Sequence, residues 1–463
     1  MGAVPKSAVE ALRAAMTGPV FARGDEGLQE EAAGYNLASV FDPEFVISPE
    51  SEDDAVLAVR FANEHGLPIV ISATGHGNYR PVTEGILLRT HRLQDLTIDD
   101  ATQTFTIGAG KRWRDIVGPL KEHGLLAVTG SSPSVGAIGL TMGGGVGPLS
   151  RKLGIAADRI LSYRFVTGAG ELVTVTKESH PDLFVALKGG KVGFGLVVEA
   201  TFQALPIEHV YGGGLMFDTG DIEPAFRAWI DWTKTVPVEV TTSANIVRFP
   251  PEGFGPQLDG KTILHVRYAY VDPDASADEL VAKGEEWIKP IRESAPVYID
   301  LLELLPADEL GKIHLDPPDP LPMAVYGHGL VDVDQSYADV ILKHAGGGVD
   351  VPFVATETRF WGNDGAIWEA GANEENSIAG ARQPYHLLTI ATPVPELHVE
   401  AYPKARDALF RDLEPHLGAE TNYNWAGSPD DAMWKKLWSP KVAERLDAVR
   451  AKYDPNHVFF TGH

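Results

Sequence analysis

A histidine between two glycines follows a short apolar run in the sequence SATGHGNYRP, residues 72–81. The run Pro68–Ile71 predicts a strand, and the glycines on either side of His76 predict that this strand ends in a loop. A lone histidine in a loop is more often a hydrogen-bonded structural residue than a functional one. The chemistry of His76 therefore depends on which other segments the fold brings to it.

Glycine also dominates a second segment, GSSPSVGAIGLTMGGGVGPLSRKLG, at residues 130–154. The segment is too rich in glycine for a regular element and too apolar for an exposed linker, so we expect a buried loop. Backbone amides that lack side chains beside them can approach an extended ligand closely and cradle a pyrophosphate without any lysine. A cluster of tight turns that binds nothing is the alternative. The glycines concerned are Gly136, Gly139, Gly143, Gly144, Gly145 and Gly147.

Composition narrows the classes of function. The 463 residues exceed the size at which one core stops growing, so we expect at least two domains. A formal net charge of -25 disfavours nucleic acid and anionic membrane surfaces as partners. The lack of cysteine excludes disulfides, thiolate catalysis, iron–sulfur clusters and cysteine-ligated zinc, and no metal site is predicted. The motifs GxSxG, HExxH and GxxxxGK[ST] are absent, and no GxGxxG lies between a strand and a helix.

Several elements are predicted around these segments. Ser51 and Gly66 are typical of the start and the end of a helix. Extended runs are expected at 85–90, 96–100, 104–110, 160–167, 171–176 and 195–205, with helices at 113–123 and from His180. Beyond about residue 206 the pattern indicates a second α+β domain, with a helix around Trp229 and Trp232 and a strand at 263–271. The segment 430–455 predicts one charged helical run that Pro455 ends.

No signal for secretion or for a membrane span is found. Residues 1–18 are typical of an amphipathic helix and lack the continuous apolar core of a secretory signal. No run of about 18 uncharged apolar residues occurs. The expected location is therefore the cytoplasm, without membrane association.

An ordered set of motifs resembles the FAD-linked oxidases of the vanillyl-alcohol oxidase superfamily, in particular the berberine-bridge-enzyme-like group. The motifs are ATGHGN (73–78), VTGSSPSVG (128–136), GLTMGGGVGPLSRKLGIAAD (139–158), HPDLFVALKGG (180–190), GFGLV (193–197) and YDPN (453–456). The resemblance implies an α+β, two-domain FAD-binding oxidase fold. In it a PCMH-type FAD domain is joined to an antiparallel-sheet substrate domain backed by helices.

The resemblance also implies how the cofactor is held. In this family the histidine that matches His76 is joined through a ring nitrogen to the 8α-methyl group of FAD, which makes His76 a covalent attachment point. Such a bond generally raises the reduction potential of the flavin and prevents its loss. The matching cofactor-binding positions are Ala73, Thr74, Gly75, His76, Gly77, Asn78, Ser132, Val135, Gly136, Gly139, Thr141, Gly143, Gly144, Gly147, Asp158, Gly195 and Val197.

Two positions refine this expectation. Many relatives carry a second flavin bond from a cysteine where Ser132 stands, so the resemblance implies a single attachment here. A singly linked site is expected to be narrower, which disfavours a bulky sugar as substrate. Val135 matches a position that is thought to gate oxygen, where valine accompanies oxidases, although a small packing residue is an equally good interpretation.

The residues that would take the substrate proton are less clearly marked. Where the family has a Y-x-N-[FY] pattern, this chain has N-Y-N-W (422–425), so Asn422 replaces the usual tyrosine and Asn424 keeps its match. Tyr423 lies one residue along and would face the other way in a strand. The remaining candidates are Glu357 with Arg359, and Tyr385 with His386, each of them more often structural than catalytic. The chain end also departs from the family: His457 replaces an asparagine, and the flavin contacts are made differently or the sequence ending at His463 lacks a few residues.

The sequence thus predicts an FAD-dependent oxidase that removes a hydride from a small to medium alcohol, amine or secondary-metabolite intermediate. Oxygen would be the acceptor and hydrogen peroxide the product. The alternatives are a dehydrogenase or oxidative cyclase on the same fold, or a flavin-binding protein without catalysis. Residues 1–206 and the returning segment 416–463 are expected to bind FAD and residues 207–415 the substrate. A homodimer is one expected assembly, since similar enzymes frequently dimerise.

Overall fold

The fold was analysed in a computed structural model, which describes residues 4–77, 80–374, 378, 383–427 and 431–459. Its strands, in chain order, are β1 (Val20–Ala22), β2 (Phe45–Ile47), β3 (Ile69–Ser72), β4 (Ile86–Arg89), β5 (Leu96–Asp99), β6 (Thr104–Gly108), β7 (Ile160–Thr167), β8 (Leu172–Val175), β9 (Gly195–Gln203), β10 (His209–Phe217), β11 (Val240–Arg248), β12 (Thr262–Tyr270), β13 (Ile299–Asp300), β14 (Glu303–Pro306), β15 (Val325–Leu330), β16 (Phe353–Phe360) and β17 (Tyr385–Ala391).

Its α-helices are α1 (Lys6–Ala15), α2 (Leu28–Ala32), α3 (Glu52–His65), α4 (Arg114–Glu122), α5 (Ala137–Thr141), α6 (Ser150–Leu153), α7 (Pro181–Ala186), α8 (Ile222–Thr233), α9 (Ala277–Arg292), α10 (Gln335–Ala345), α11 (Gly365–Ala372), α12 (Glu396–Val399), α13 (Ala401–Asp412), α14 (Asp431–Trp434) and α15 (Pro440–Tyr453). The predicted start of α3 is confirmed, because the Ser51 side chain accepts a hydrogen bond from the Asp54 amide at 3.1 Å.

Two sheets form the first part of the chain. The sheet β1-β2-β4-β3 is parallel except for the β1–β2 pair, and the sheet β5-β6-β9-β7-β8 is antiparallel. Helix α3 packs between them and buries Ala55, Ala58 and Val59 completely. Because β3 leads directly into residues 73–77, this packing fixes the start of the histidine loop.

The middle of the chain forms one antiparallel sheet in the order β13-β10-β12-β11-β16-β17-β15, with β14 also paired to β10. Helices α8, α9, α10 and α13 cover one face and bury an aromatic core that includes Trp229, Tyr268 and Tyr337. Side chains alternate between the two faces of a strand, so every second residue of β11, β12, β16 and β17 points to the uncovered face. That face turns toward the glycine-rich segment, since Arg359 donates to Ser131 at 3.4 Å.

The C-terminal segment returns to the first part of the chain. Val442, Leu446 and Val458 are buried in the same core as α3. The Ile69 amide donates to the carbonyl oxygen of Val458 at 2.7 Å, and Phe459 forms a parallel bridge to Ile69. The end of the chain therefore supports β3, the strand that precedes the histidine loop.

Two predictions about elements need correction. Residues 130–154 are buried as expected, but they include the short helices α5 and α6 rather than a loop throughout. The C-terminal helical run is broken between α14 and α15, because Pro440 has no amide hydrogen to continue a helix and instead stands in the first turn of α15. Within the described ranges, no helix is both long and apolar enough to cross a membrane.

Candidate functional site

The ring of His76 is held from two sides. Its Nε2 lies 3.1 Å from the Ser134 hydroxyl oxygen, and its ring stacks on Tyr35 with 3.5 Å between the centroids. Burial, and then the charge of Arg112, lower the pKa of His76 to about 3. The imidazole is therefore neutral at physiological pH, and no described residue forms a hydrogen bond with its Nδ1. A neutral ring with one free nitrogen can act as a nucleophile.

The backbone conformation of Gly75 sets the direction of the histidine loop. Its φ of 79° belongs to the left-handed region, and a Cβ there would lie 2.7 Å from the Cα of Gly34. The backbone of residues 34–35 therefore fills the space beside Gly75. The Tyr35 amide donates a hydrogen bond to the Thr74 carbonyl oxygen. Gly77 differs, since a Cβ at that position would meet no described atom within 4 Å.

The glycine-rich segment lies beside this loop. A Cβ at Gly136 would be 3.4 Å from the Cβ of Ala73 and 3.5 Å from the Thr74 side chain, so the first two cofactor-binding motifs are in contact. Gly139 lies inside α5, where a Cβ would meet no described atom within 4 Å. Backbone amides and unoccupied Cβ directions at these positions could admit the diphosphate of FAD.

The side chain of Asn424 packs against the glycine-rich segment at Leu140 and Gly143. A Cβ at Gly143 would collide with the Asn424 side-chain oxygen, and the Asn424 amide donates to the Leu140 carbonyl at 2.8 Å. The buried ammonium of Lys191 bonds to the Gly139 carbonyl and, at 3.1 Å, to Asn424. Burial lowers the pKa of Lys191 to about 8. Asn424 therefore positions backbone of the glycine-rich segment and is not free to take a proton.

The other cofactor-binding candidates have mainly structural surroundings. Gly144 takes a φ of 111°, in the left-handed region. A Cβ at Gly147 would collide with the Thr129 carbonyl oxygen. The hydroxyl oxygen of Ser132 lies 3.1 Å from that of Ser134. The half-buried Val135 bonds through its carbonyl to the Trp113 amide. Four further candidates serve a helix, a turn or the core in this fold: Thr141 bonds to the Ala137 carbonyl, Asp158 caps a turn at Ile155, and Gly195 and Val197 are buried in β9. Asn78 lies outside the described residues.

A second group of polar side chains occupies the uncovered face of the middle sheet. Glu357 accepts hydrogen bonds from Ser243 at 2.6 Å, from Arg267 at 2.7 Å and from Arg359 at 2.9 Å. Although burial alone would raise it, these arginines hold the pKa of Glu357 well below its usual range. Glu357 is therefore a fully paired carboxylate, which makes it a weak base.

His386 lies on the same face and has a different character. It stacks on Trp361 with 5.0 Å between the centroids, and its Nε2 is 3.2 Å from the Thr421 hydroxyl. Burial, together with the charge of Arg359, keeps the pKa of His386 well below its usual value. Its Nδ1 is buried and has no hydrogen-bond partner in the described structure. Its low pKa makes it a weak base as well, but unlike Glu357 it keeps a ring nitrogen with no partner among the described residues.

Tyr385 was grouped wrongly with these candidates. It precedes His386 in β17 and so points to the opposite face, where its hydroxyl lies 2.8 Å from the Thr233 hydroxyl. Its ring packs on Phe360 and Trp229 beneath the helices. Tyr385 therefore belongs to the aromatic core and does not reach the site.

The NYNW segment is a turn rather than a strand. Asn422 accepts a hydrogen bond from the Asn424 amide at 2.9 Å, and residues Tyr423–Trp425 form a 3-10 helix. Burial raises the pKa of Tyr423 to about 12, so its phenol stays protonated. Tyr423 lines a pocket with His386 and Gly143 and can donate a hydrogen bond there, but it is not a base at neutral pH. His457 is exposed, and His463 lies outside the described residues.

Sequence reasoning missed four residues that the fold brings to the site: Tyr35, Ser134, Arg267 and His314. Of these four, only Arg267 could have been predicted from the sequence. His265 and Arg267 are two residues apart in the strand 263–271, so both side chains must lie on the same face of the sheet. Arg267 donates to Glu357 at 2.7 Å and to the His314 carbonyl at 2.8 Å. Tyr35 comes from a loop whose contact with His76 no local pattern indicates.

Comparisons with known proteins cover the part of the chain that carries these motifs. A family model described as FAD binding domain matches residues 43–176. A FAD-linked oxidoreductase from Pyricularia oryzae is 35% identical over 446 residues, which cover 90% of this chain and 83% of the relative. These matches include the histidine loop and the glycine-rich segment, and they establish FAD as the cofactor.

Solved structures confirm the predicted fold. The 6-hydroxy-D-nicotine oxidase of Arthrobacter nicotinovorans matches with a TM-score of 0.81 at 22% identity, covering 96% of this chain and 97% of that chain. The glucooligosaccharide oxidase of Acremonium strictum, described with a 6-S-cysteinyl, 8α-N1-histidyl FAD, matches with a TM-score of 0.77 at 19% identity and 97% coverage of both chains.

Proposed function

The chain belongs to the FAD-linked oxidoreductases, and from this premise we propose that it is an oxidase that holds FAD covalently through His76. It would oxidise a small to medium alcohol, amine or secondary-metabolite intermediate. FAD supplies the chemistry of accepting a hydride and passing two electrons to oxygen, which yields hydrogen peroxide. The residues of the chain hold the cofactor, orient the substrate and take up the proton.

The state of His76 is the observation that carries the proposal. Ser134 contacts Nε2, Tyr35 stacks on the ring, and Nδ1 has no hydrogen-bond partner among the described residues. Because the pKa of His76 is about 3, the nucleophilic form is present at any physiological pH. Ser132 and the lack of cysteine support one covalent bond rather than two.

We assign the proton acceptor to His386. A substrate C–H bond next to oxygen or nitrogen loses its hydride more readily when a base takes the accompanying proton. Of the candidates on the uncovered face, Glu357 is saturated by three donors, whereas His386 has a free and neutral Nδ1. Tyr423 can donate a hydrogen bond to the substrate in the same pocket.

The attachment is tested by acid precipitation of the purified protein and of His76→Ala, followed by a denaturing gel under ultraviolet light. We expect a yellow, fluorescent pellet for the unaltered protein and colour in the supernatant for His76→Ala. His457→Ala removes an exposed histidine as the control and should keep its flavin in the pellet. Colour in both supernatants would mean that FAD is dissociable and that the role of His76 is wrong.

Oxygen use is tested separately. The flavin is reduced by substrate without air and then mixed with air-saturated buffer while its absorbance is followed. We expect rapid return of the oxidised spectrum with one hydrogen peroxide per flavin, in keeping with Val135 at the position that gates oxygen in this family. A reduced spectrum that persists in air would instead identify a dehydrogenase or an oxidative cyclase.

A further inference from the structure

The cluster around Glu357 holds two arginine side chains inside the sheet wall, and only one of them has a second described carboxylate nearby. Arg267 and Arg359 have side chains that are 7% and 9% exposed, and both donate to the one carboxylate of Glu357, which is 3% exposed. Buried charges are costly unless they are paired and hydrogen-bonded. One shared carboxylate pairs two guanidinium groups only in part.

Donors in this cluster also lack acceptors. The Nε atoms of Arg267 and Arg359 and the Nδ1 of His314 are buried and have no hydrogen-bond partner in the part of the chain that the structure describes. Both arginines and His314 line one pocket, together with Gly147 of the glycine-rich segment. Unpaired buried polar atoms that line one pocket can be satisfied by a ligand with acceptor atoms.

In the described part of the chain, a second carboxylate lies within ion-pair distance of Arg267 but not of Arg359. Asp316 lies 3.7 Å from Arg267, and its own side chain is 30% exposed at the rim of the cluster. Arg359 has no carboxylate within ion-pair distance except Glu357 among the described residues. The rest of its surroundings are the ring of Trp425, at 4.8 Å, and the hydroxyl of Ser131. Within this cluster, Arg359 therefore has fewer anionic partners than Arg267.

We propose that the substrate carries a planar oxyanion, with a carboxylate as the simplest case, which binds in this pocket between Arg359 and Arg267. The proposal rests on the proposed function, because it names the substrate class of that same site. A guanidinium group presents its N–H donors in a fork that matches two oxygens of a planar anion. The contact of Arg359 with Ser131 places such an anion beside the segment that also carries Ser134, the partner of His76.

The test uses the flavin-bearing protein and the probes benzoate and benzamide, which share a shape and differ in charge. Each is titrated at constant ionic strength while the visible flavin spectrum is followed. We expect benzoate to bind at least about tenfold more tightly than benzamide, as a charge-assisted hydrogen bond predicts. Arg359→Gln should weaken benzoate binding at least about tenfold and leave benzamide binding unchanged. Arg227→Gln, at a partly exposed site on α8, is the matched control and should alter neither affinity.

The remaining outcomes separate the explanations. If Arg359→Gln retains no flavin, Arg359→Lys keeps the charge and must keep the preference for benzoate. Equal affinity for both probes, or unaltered benzoate binding in Arg359→Gln, would overturn the proposal. A lowered flavin reduction potential in Arg359→Gln with unchanged benzoate binding would assign the arginine to the cofactor instead. Should the purified protein carry no flavin, the proposed function fails, and calorimetric titration with benzoate still decides whether the anion site exists.

Discussion

At the scale of single residues, the site depends on side chains that restrict His76 rather than on its identity alone. Ser134 and Tyr35 leave one ring nitrogen free, and burial keeps that nitrogen unprotonated. The histidine and its glycines could be predicted from the sequence because they are contiguous. Tyr35 could not, since it lies far away in the chain and reaches His76 only through the tertiary packing of residues 34–35 on Gly75.

The close approach of Gly34 to Gly75 predicts a marked difference between two neighbouring glycines. Gly75→Ala forces an alanine into a left-handed conformation and a clash with Gly34, which should lower the free energy of unfolding by about 1–3 kcal/mol. The same change should reduce the fraction of protein with attached flavin, because His76 is displaced. Gly77→Ala meets no described atom within 4 Å and should stay within about 0.5 kcal/mol of the parent. Urea unfolding of the flavin-free proteins measures both, and equal stabilities would refute the argument.

At the scale of elements, the alternation of side chains along the strands explains which predicted site residues share a face. Alternation along β16 put Glu357 and Arg359 on one face, as the sequence indicated. The same alternation excludes Tyr385, which the sequence pattern had paired with its neighbour. Arg267 was overlooked because its strand was predicted without working out which of its side chains share a face. Within 130–154, the helix α5 escaped prediction because glycine normally disfavours helices, whereas burial of Ala137 and Ile138 stabilises this one.

Helix α5 makes it possible to separate folding from cofactor binding. Gly139→Ala adds a methyl group that touches no described atom, and alanine favours a helix over glycine by up to about 1 kcal/mol. We therefore expect the flavin-free protein to be equally or more stable. If the diphosphate of FAD packs on Gly139, the same methyl group should weaken FAD binding at least about tenfold.

Titration of the flavin-free protein with FAD, in a His76→Ala background that prevents covalent attachment, gives the affinity. Gly118→Ala in α4 is the matched control, because that helical glycine is equally open and lies outside the cofactor-binding motifs. Unaltered FAD affinity in Gly139→Ala would remove this glycine from the cofactor site.

At the scale of the whole molecule, the two main cores fall largely on either side of the predicted boundary at 206. One joins residues between 9 and 204 with Ile378 and with residues of the segment 426–459, and the other consists of residues between 211 and 413 beneath the middle sheet. Two smaller cores contain residues from both sides of this boundary. The change in sequence pattern near residue 206 and the family motifs predict a division with boundaries at 206 and 415. The orientation of the buried histidines between the two parts was not predictable, because it depends on which strand face meets the glycine-rich segment.

These buried histidines should make the molecule sensitive to acid. Burial lowers the pKa of His265 to about 3, whereas an unfolded chain protonates a histidine near 6.5. Above pH 6.5 neither state takes up this proton, and below it only the unfolded state does, so stability falls as the pH falls. Between pH 7 and pH 5 one such histidine costs about 2 kcal/mol of unfolding free energy.

The contribution of His265 can be isolated by comparison with His265→Asn. The Nε2 of this residue packs on Gly214, where no described group offers it a hydrogen bond, so asparagine removes the titration without removing a bond at that atom. Urea unfolding of both proteins at pH 7 and pH 5 should show that the parent loses about 2 kcal/mol more than the variant over this interval. His314 and His386, whose pKa values are also held low by burial, titrate alike in both proteins and cancel from the difference. Parallel losses in the two proteins would mean that His265 is protonated, and hence charged, inside the fold.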